Sequence, residues 1–413
     1  MKKLLLEVLE DIKPSKDYEK DILGNANNII SAINKGIKNA KAVLGGSGAK
    51  GTWLKTFDVD IFVKFNYNKF SDKSDELSSI LEKLLKKKFK IVKLHGSREY
   101  FQIRQGKFTF EIVPILDIKK AEQAKNITDV SPLHSDFVRK HKKLANEIRL
   151  AKQFFKAGKV YGAESYIRGF SGYVCEILTV NYGSFLNLIK SASKWKEKTV
   201  IDVMKYYEGQ NVFNAINKSK LLSPLVVIDP VQKDRNAAAA LDHEKFDIIR
   251  RRSKEFLKNP VKEFFEEKVL SENDIRKKAG KNKAMILKAF PLKRKDDVAG
   301  AKMLKAFHFI EKNLISSEFK VIESDMLWHA KTRSLFYYIV ENKNLSKEIK
   351  IMGPPIKSKH HAAAFKKIHK KTFVKSKRLF AIEKRKFTEP KGLVKHLIKR
   401  SNIKDNINKI LIL

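Results

Sequence analysis

Asp58 and Asp60 stand one residue apart in the run Asp58-Val59-Asp60-Ile61-Phe62-Val63-Lys64-Phe65, which is rich in strand formers. Alternate residues of an extended strand share a face, so both carboxylates project into one space while Val59, Ile61, Val63 and Phe65 form the buried side. A third carboxylate, Glu111, alternates against Phe108, Phe110 and Ile112 on a later strand. Three such groups repel one another unless cations sit among them, and oxygen donors of this kind suit Mg²⁺. Two ions held by Asp58 and Asp60 would clamp the attacking and leaving oxygens of an in-line displacement, with Glu111 steering the ion that activates a hydroxyl.

Just before the acidic pair lies Gly45-Gly46-Ser47-Gly48-Ala49-Lys50-Gly51-Thr52. The order Lys50-Gly51-Thr52, followed by a strand in place of a helix, argues against a Walker-type ATPase. A glycine-rich turn still presents backbone N–H groups to a triphosphate, with the Ser47 hydroxyl and the Lys50 ammonium reaching phosphate oxygens. Alone, the loop reads as a tight turn and the acidic pair as a solvated strand face; together they point to nucleotide chemistry.

The elements around these residues follow from periodicity. Apolar residues at helical spacing predict a helix over 18–38, and a strand over 41–44 feeds the glycine run. Ser74 is placed to cap a helix with Leu77, Ile80, Leu81, Leu84 and Leu85 on one stripe. Strands are expected over 89–94, 99–105 and 107–115, with Gly106 turning the last two into a hairpin. Residues 141–259 read as mainly helical, with helices over 146–156, 171–180 and 185–193. Beyond Pro260 the pattern is mixed, with a helix over 303–314 and strands over 335–341 and 379–383. The expectation is a multidomain α+β chain divided at residues 1–136, 137–259 and 260–413.

Net charge is +41 from 87 Lys and Arg against 46 Asp and Glu, which favours a polyanionic partner. Residues 351–413 hold 18 Lys or Arg against 3 acidic residues, interleaved with Phe365, Phe373, Phe380 and Phe387, as suits an RNA backbone. Cys175 is the single cysteine, so no intramolecular disulfide or cysteine zinc site exists and a cytoplasmic setting is expected. Glu7, Glu10 and Asp11 break the apolar start into an amphipathic helix, and no stretch reaches the length of a membrane span.

The run from Gly45 through Lys50-Gly51-Thr52 to Asp58-Val59-Asp60 resembles the signature of the polymerase-β-like nucleotidyltransferases, and its wording is similar to that of the archaeal, class I CCA-adding enzymes. The likeness continues through Arg168-Gly169-Phe170-Ser171-Gly172-Tyr173, Val200-Ile201-Asp202-Val203, Asp229-Pro230-Val231 with Arg235-Asn236, Met352-Gly353-Pro354 and Arg385-Lys386-Phe387-Thr388. It implies a palm domain of mixed sheet backed by helices, a helical neck, and an α/β body and tail. It also implies ATP and CTP as substrates, tRNA as primer and Mg²⁺, with two ions, as cofactor, and leaves a homodimer open. Metal carboxylates fall on Asp58, Asp60 and Glu111. Nucleotide-contacting positions fall on Ser47, Lys50, His134, Lys152 and Tyr161, and a base-reading arginine on Arg235. The basic stretch places tRNA-binding side chains at Lys384, Arg385 and Lys386. Two positions depart from the family's usual wording: the third carboxylate is more often Asp, and position 50 is often Arg.

Plain alternatives stand beside these roles. His134 reads as a helix cap, Lys152 as part of a solvated basic face, Tyr161 as a core aromatic and Arg235 as a loop charge. Phe170, Tyr173 and Phe185 read as core residues on helices, and His360, His361 and His369 as surface groups rather than metal ligands. A poly(A) polymerase or an oligoadenylate synthase would share the carboxylates, and a non-catalytic tRNA-binding protein would share the charge.

Overall fold

The computed structural model describes residues 1–55, 59–329 and 332–413. The chain divides into two compact units, Met1–Lys268 and Val269–Leu413. The first unit begins with α1 (Lys2–Ile12), α2 (Lys16–Asn34) and β1 (Ala40–Leu44), followed by the one-turn α3 (Gly46–Lys50), β2 (Val59–Asn66) and the short α4 (Tyr67–Phe70). Then come α5 (Leu77–Lys86), β3 (Ile91–Leu94), β4 (Tyr100–Gln105) and β5 (Phe108–Asp117).

These strands form a five-stranded sheet in the order β1-β2-β5-β4-β3, in which only the β2–β5 pair is parallel. The alternation read from the sequence decides its faces. Val59, Ile61, Val63 and Phe65 of β2 and Phe108, Phe110 and Ile112 of β5 pack against Ile22, Ala26, Ile29 and Ile33 of α2 and Leu77, Leu81 and Leu85 of α5. Burying a leucine of this kind stabilises by about 1.5–3 kcal/mol. The other face carries Asp60 and Glu111.

Ser74 does not cap α5. That helix starts after Glu76, and Ser74 Oγ instead accepts from Arg98 Nη2 at 3.2 Å within a 3₁₀ turn. A buried guanidinium needs acceptors more than a solvated helix end does. Its main partner is Asp129, fully buried, which also accepts from the backbone N–H groups of Leu116 at 2.9 Å, Lys125 at 3.1 Å and Asn126 at 2.9 Å. Asp129 thus ties the end of β5 to the turn that starts α6 (Ser131–Lys140).

The rest of the first unit is helical, as its apolar periodicity predicts: α7 (Ala145–Ala157), α8 (Gly172–Tyr182), α9 (Phe185–Ala192), the short α10 (Val212–Ala215) and α11 (His243–Lys258). Strands β6 (Thr199–Ile201) and β7 (Leu225–Val227) add a small parallel pair that three-residue runs could not announce. The apolar stripe of α1, Leu5, Val8, Leu9 and Ile12, joins the core of these helices rather than that of the sheet.

The second unit contains α12 (Glu272–Ala279), β8 (Lys283–Phe290), α13 (Asp296–Ser316), β9 (Val321–His329) and β10 (Arg333–Val340), then β11 (Glu348–Pro355), α14 (Lys359–Ile368), β12 (Thr372–Lys375) and β13 (Arg378–Lys384). It closes with α15 (Pro390–Leu397), α16 (Ser401–Lys404) and β14 (Lys409–Ile412). The sheet β14-β8-β10-β9 is covered on both faces. Phe336, Tyr338 and Val340 of β10 meet α13 and α15, while Leu335, Tyr337 and Ile339 meet α12, which explains the unbroken apolar run of β10. A separate three-stranded sheet, β11-β13-β12, carries α14. Among the described residues no helix is long and apolar enough to cross a membrane.

Asp129→Ala leaves the Arg98 charge buried without its carboxylate and strips three backbone donors of their acceptor. The expected loss is about 3–5 kcal/mol, read as a lowered urea midpoint; a midpoint unchanged from wild type removes the pair from this structural role.

Candidate active site

Cα partners in the β2–β5 ladder run Val59 to Phe110, Asp60 to Glu111 and Ile61 to Ile112. In-register partners on neighbouring strands share a face, so Asp60 and Glu111 stand side by side on the face away from α2 and α5. Gln102 on β4 donates from Nε2 to Glu111 Oε1 at 2.9 Å, which orients that carboxylate. Two adjacent carboxylates on an open sheet face form the hard oxygen set that a divalent cation takes. Asp58 lies outside the described residues, among which no cluster of three or more metal-capable side chains occurs.

The glycine run arches over Asp60. Gly45 N–H donates to the Asp60 carbonyl at 2.8 Å, and Gly46 has φ of 52°. A Cβ on Gly46 would fall 1.7 Å from Asp60 Oδ2, so only glycine lets the backbone lie against the carboxylate. The segment expected as a tight glycine-rich turn is a single helical turn, α3, stopped by Gly51 in the left-handed region at φ of 65°. Ser47, half-buried, lies on α3, and its carbonyl accepts from Thr52 N–H at 3.1 Å.

Lys50 ends α3, and its Nζ lies 2.8 Å from Glu176 Oε2 on α8. Lys152 does not lie on a solvated face. It is 4% exposed, and its Nζ reaches Glu176 Oε1 at 2.7 Å and Thr52 Oγ1 at 3.0 Å. Burial alone would raise the Glu176 pKa, but Lys152 and Lys50 reverse this and hold it down at about 2. Tyr161 is half-buried with its hydroxyl against Gly172 and the Lys156 ammonium 5.4 Å from its ring centroid. Its pKa is pushed up, chiefly by burial.

A second buried anion, Asp229, gathers the other candidates. His134 is inside α6, not at its cap, with Nε2 3.2 Å from Asp229 Oδ2. Arg235 pairs with the same oxygen, so it is no free loop charge. Tyr173 donates its hydroxyl to Asp229 Oδ1 at 3.2 Å and stacks on His134 at 4.0 Å between centroids. Tyr173 is therefore not a simple core aromatic, and Phe170 is buried at an isolated bridge to Tyr161 rather than on a helix. Phe185 is buried on α9 as expected. Burial favours the neutral acid at Asp229, yet His134, the Val231 N–H and Arg235 outweigh it and hold Asp229 below the usual carboxylate range.

Glu176, the buried partner of Lys50, Lys152 and Thr52, is not among the residues singled out from the sequence. Its signal was available: one acid in the otherwise apolar run Val174-Cys175-Glu176-Ile177-Leu178. Asp229 stands out in the sequence only within the run Asp229-Pro230-Val231.

In the second unit Lys384 and Lys386 are exposed, whereas Arg385 is held by Glu318 and by the carbonyls of Ser317 at 3.2 Å and Ser346 at 3.1 Å. Phe373 and Phe380 stack at 5.7 Å, with the Lys350 ammonium 4.3 Å from the Phe380 centroid. His360 and His361 sit exposed on α14, and His369 Nδ1 lies 2.6 Å from Glu383 Oε1.

Three family models match in order along the chain: the nucleotidyltransferase domain over residues 25–156, the tRNA nucleotidyltransferase second domain over 146–266 and the CCA-adding enzyme C-terminal domain over 291–411. The CCA-adding enzyme of Methanocaldococcus jannaschii is 31% identical over 96% of this chain and 91% of its own length. This chain belongs to the CCA-adding enzyme family. The relative from Nanoarchaeum equitans is 42% identical over 61% of this chain, a match that spans 64% of that relative. That from Methanosarcina acetivorans is 31% identical over 88% of this chain and 80% of its own length. The chain is accordingly a tRNA nucleotidyltransferase of the polymerase-β-like fold. A solved structure of the Cid1 poly(U) polymerase with Mg and 3′-dATP bound shares that fold, with a TM-score of 0.52 and 14% identity over 64% of this chain and 98% of that one.

Gly46→Ala forces the α3 backbone off Asp60. The variant should bind tRNA as wild type does while losing nucleotide addition by about a hundredfold or more, as small displacements at a reacting centre do. Wild-type turnover would show that the close approach of Gly46 is dispensable.

Proposed function

We propose that this chain adds C, C and A to the 3′ end of tRNA from CTP and ATP, releasing pyrophosphate at each step, with Mg²⁺ held by Asp58, Asp60 and Glu111. The observation that carries the reading is the in-register Asp60–Glu111 pair beneath Gly46, in a chain that matches the family along its length. Asp58, Asp60 and Glu111 would hold Mg²⁺, which would supply charge neutralisation for an in-line displacement at the α-phosphorus. Gln102 orients the Glu111 carboxylate, and the missing Cβ of Gly46 leaves room for that of Asp60 against the α3 backbone.

Ser47, Lys50 and Lys152 take the triphosphate, with His134 and Tyr161 completing the nucleotide pocket. Arg235, oriented by Asp229, presents a planar fork to the base edge, a geometry that suits discrimination of CTP and ATP from UTP and GTP. The sheet of residues 1–136 does the chemistry, residues 137–259 select the nucleotide, and residues 260–413 grip tRNA. The work belongs in the cytoplasm, where a lone buried thiol stays reduced.

The reaction is tested by offering tRNA transcripts that end before, within and after CCA, with ATP, CTP and Mg²⁺. Extension should stop at a completed CCA, and Asp58→Ala or Asp60→Ala should abolish both C and A addition while tRNA binding persists. Long A tails would identify a poly(A) polymerase instead, and absence of any extension by wild type would leave only a binding protein.

Exposed Lys384 and Lys386 are the phosphate candidates, while Arg385 serves the fold of its own unit through Glu318. Charge reversal at either lysine should flatten the slope of log affinity against log salt by about 0.7–0.9, equally for several tRNAs. Unaltered slopes, or a loss confined to one tRNA, count against a backbone grip.

A further inference from the structure

Glu176 has no part in the chemistry above, yet three donors from three segments converge on its carboxylate. Lys50 from the end of α3 meets Oε2 at 2.8 Å, and Lys152 from α7 and the Thr52 hydroxyl meet Oε1 at 2.7 Å and 2.8 Å. Glu176 is 1% exposed. A structural ion pair needs one cation; this anion holds two, and the cluster keeps one net positive charge. The side chain of Lys50 retains 11% exposure, and its ammonium lies 5.5 Å from the Tyr173 ring centroid.

We propose that Glu176 is a positioning residue for nucleotide binding: its carboxylate bridges the Lys50 and Lys152 ammonium groups and aims both at one place before a triphosphate arrives. This rests on the reading of Lys50 and Lys152 as triphosphate ligands. Two long side chains left to themselves sample many rotamers, and fixing them on binding would weaken affinity. The bridge makes that ordering part of the fold.

Charge state follows the same geometry. Burial lowers the Lys152 pKa, Glu176 opposes this, and Lys50 adds to the lowering. The other groups near Lys152 are Thr52, Cys175 of α8 and Tyr161, while Tyr173 faces Lys50; burial raises the pKa of Cys175, Tyr161 and Tyr173, which stay neutral. Tyr173 is bonded in turn to Asp229, which carries His134 and Arg235. Without the Glu176 anion, burial and Lys50 both favour the neutral amine, so Lys152 loses its proton at lower pH than in wild type.

The test measures KM and kcat for A addition to a tRNA ending in CC, from about pH 6 to about pH 9. Wild type, Glu176→Gln and Glu176→Asp are compared, with thermal melting and tRNA binding as controls for folding. Wild type should give a flat KM for ATP. In Glu176→Gln, KM should climb with pH, approaching about tenfold per pH unit once Lys152 titrates, with kcat at saturation little changed. Glu176→Asp keeps the anion but is one methylene short of bridging both lysines, so its KM should be raised at every pH with a flat profile. This variant also serves if Glu176→Gln does not fold. A Glu176→Gln profile parallel to that of wild type, or a wild-type KM in Glu176→Asp, overturns the proposal. Lys50→Gln and Lys152→Gln separate the two readings. If neither raises KM for ATP, the lysines are not triphosphate ligands; if both do while Glu176→Gln parallels wild type, only the role of Glu176 fails.

Discussion

The parallel pairing of β2 with β5 is the constraint on which the first unit turns. Register in a parallel ladder cannot slip by one residue without exchanging every buried side chain for an exposed one, and Ile61, Val63, Phe65, Phe110 and Ile112 fix it through the core. The same register sets Asp60 beside Glu111. Hydrophobic burial on one face thereby determines carboxylate spacing on the other, and the repulsion between the two acids is borne by the core packing behind them.

Buried ions hold the surrounding pieces. Arg98–Asp129 fastens the end of β5 to the turn before α6, and Glu176 fastens α3 and the Thr52 loop to α7 and α8. Each of these carboxylates is almost wholly buried and each accepts from several donors, the condition under which a buried charge is tolerated. The sheet and the helical layer are joined in this way by directed polar contacts, which fix orientation as apolar packing alone does not. That matters where Ser47, Lys50 and Lys152 are assigned to a single triphosphate.

Much of this was legible in the chain. Alternation over Val59–Phe65 and Phe108–Ile112 gave the two strands and their faces, and the stripes of α2, α5 and α7 gave their helices, because both periods follow from backbone geometry. What escaped was set by contacts distant in sequence. Lys152 looked solvated because a basic helix face is the ordinary setting for lysine; Glu176, twenty-four residues later, is what buries it. Ser74 reads as a cap because Arg98 could not be placed beside it, and the pairing of Arg385 with Glu318 was hidden because the two lie 67 residues apart. The one-turn α3 is hidden by its glycines, of which Gly46 is required for the close approach to Asp60.

Tyr173 joins the two buried anions of the candidate site. Its ring stacks on His134 and lies 5.5 Å from the Lys50 ammonium, and its hydroxyl donates to Asp229, which also pairs with Arg235. One side chain therefore touches the group assigned to the triphosphate and the anion that orients the group assigned to the base. Networks of this kind polarise together in a water-poor interior, so their members do not contribute independently. Deletions at Lys50, Tyr173 and Arg235 should then be non-additive, and a double-mutant cycle between Lys50 and Arg235 reports the coupling through Tyr173. On the proposed assignments, the triphosphate ligand Lys50 and the base-reading Arg235 would share Tyr173 as one mechanical element, so a nucleotide held badly at one end would also be presented badly at the other.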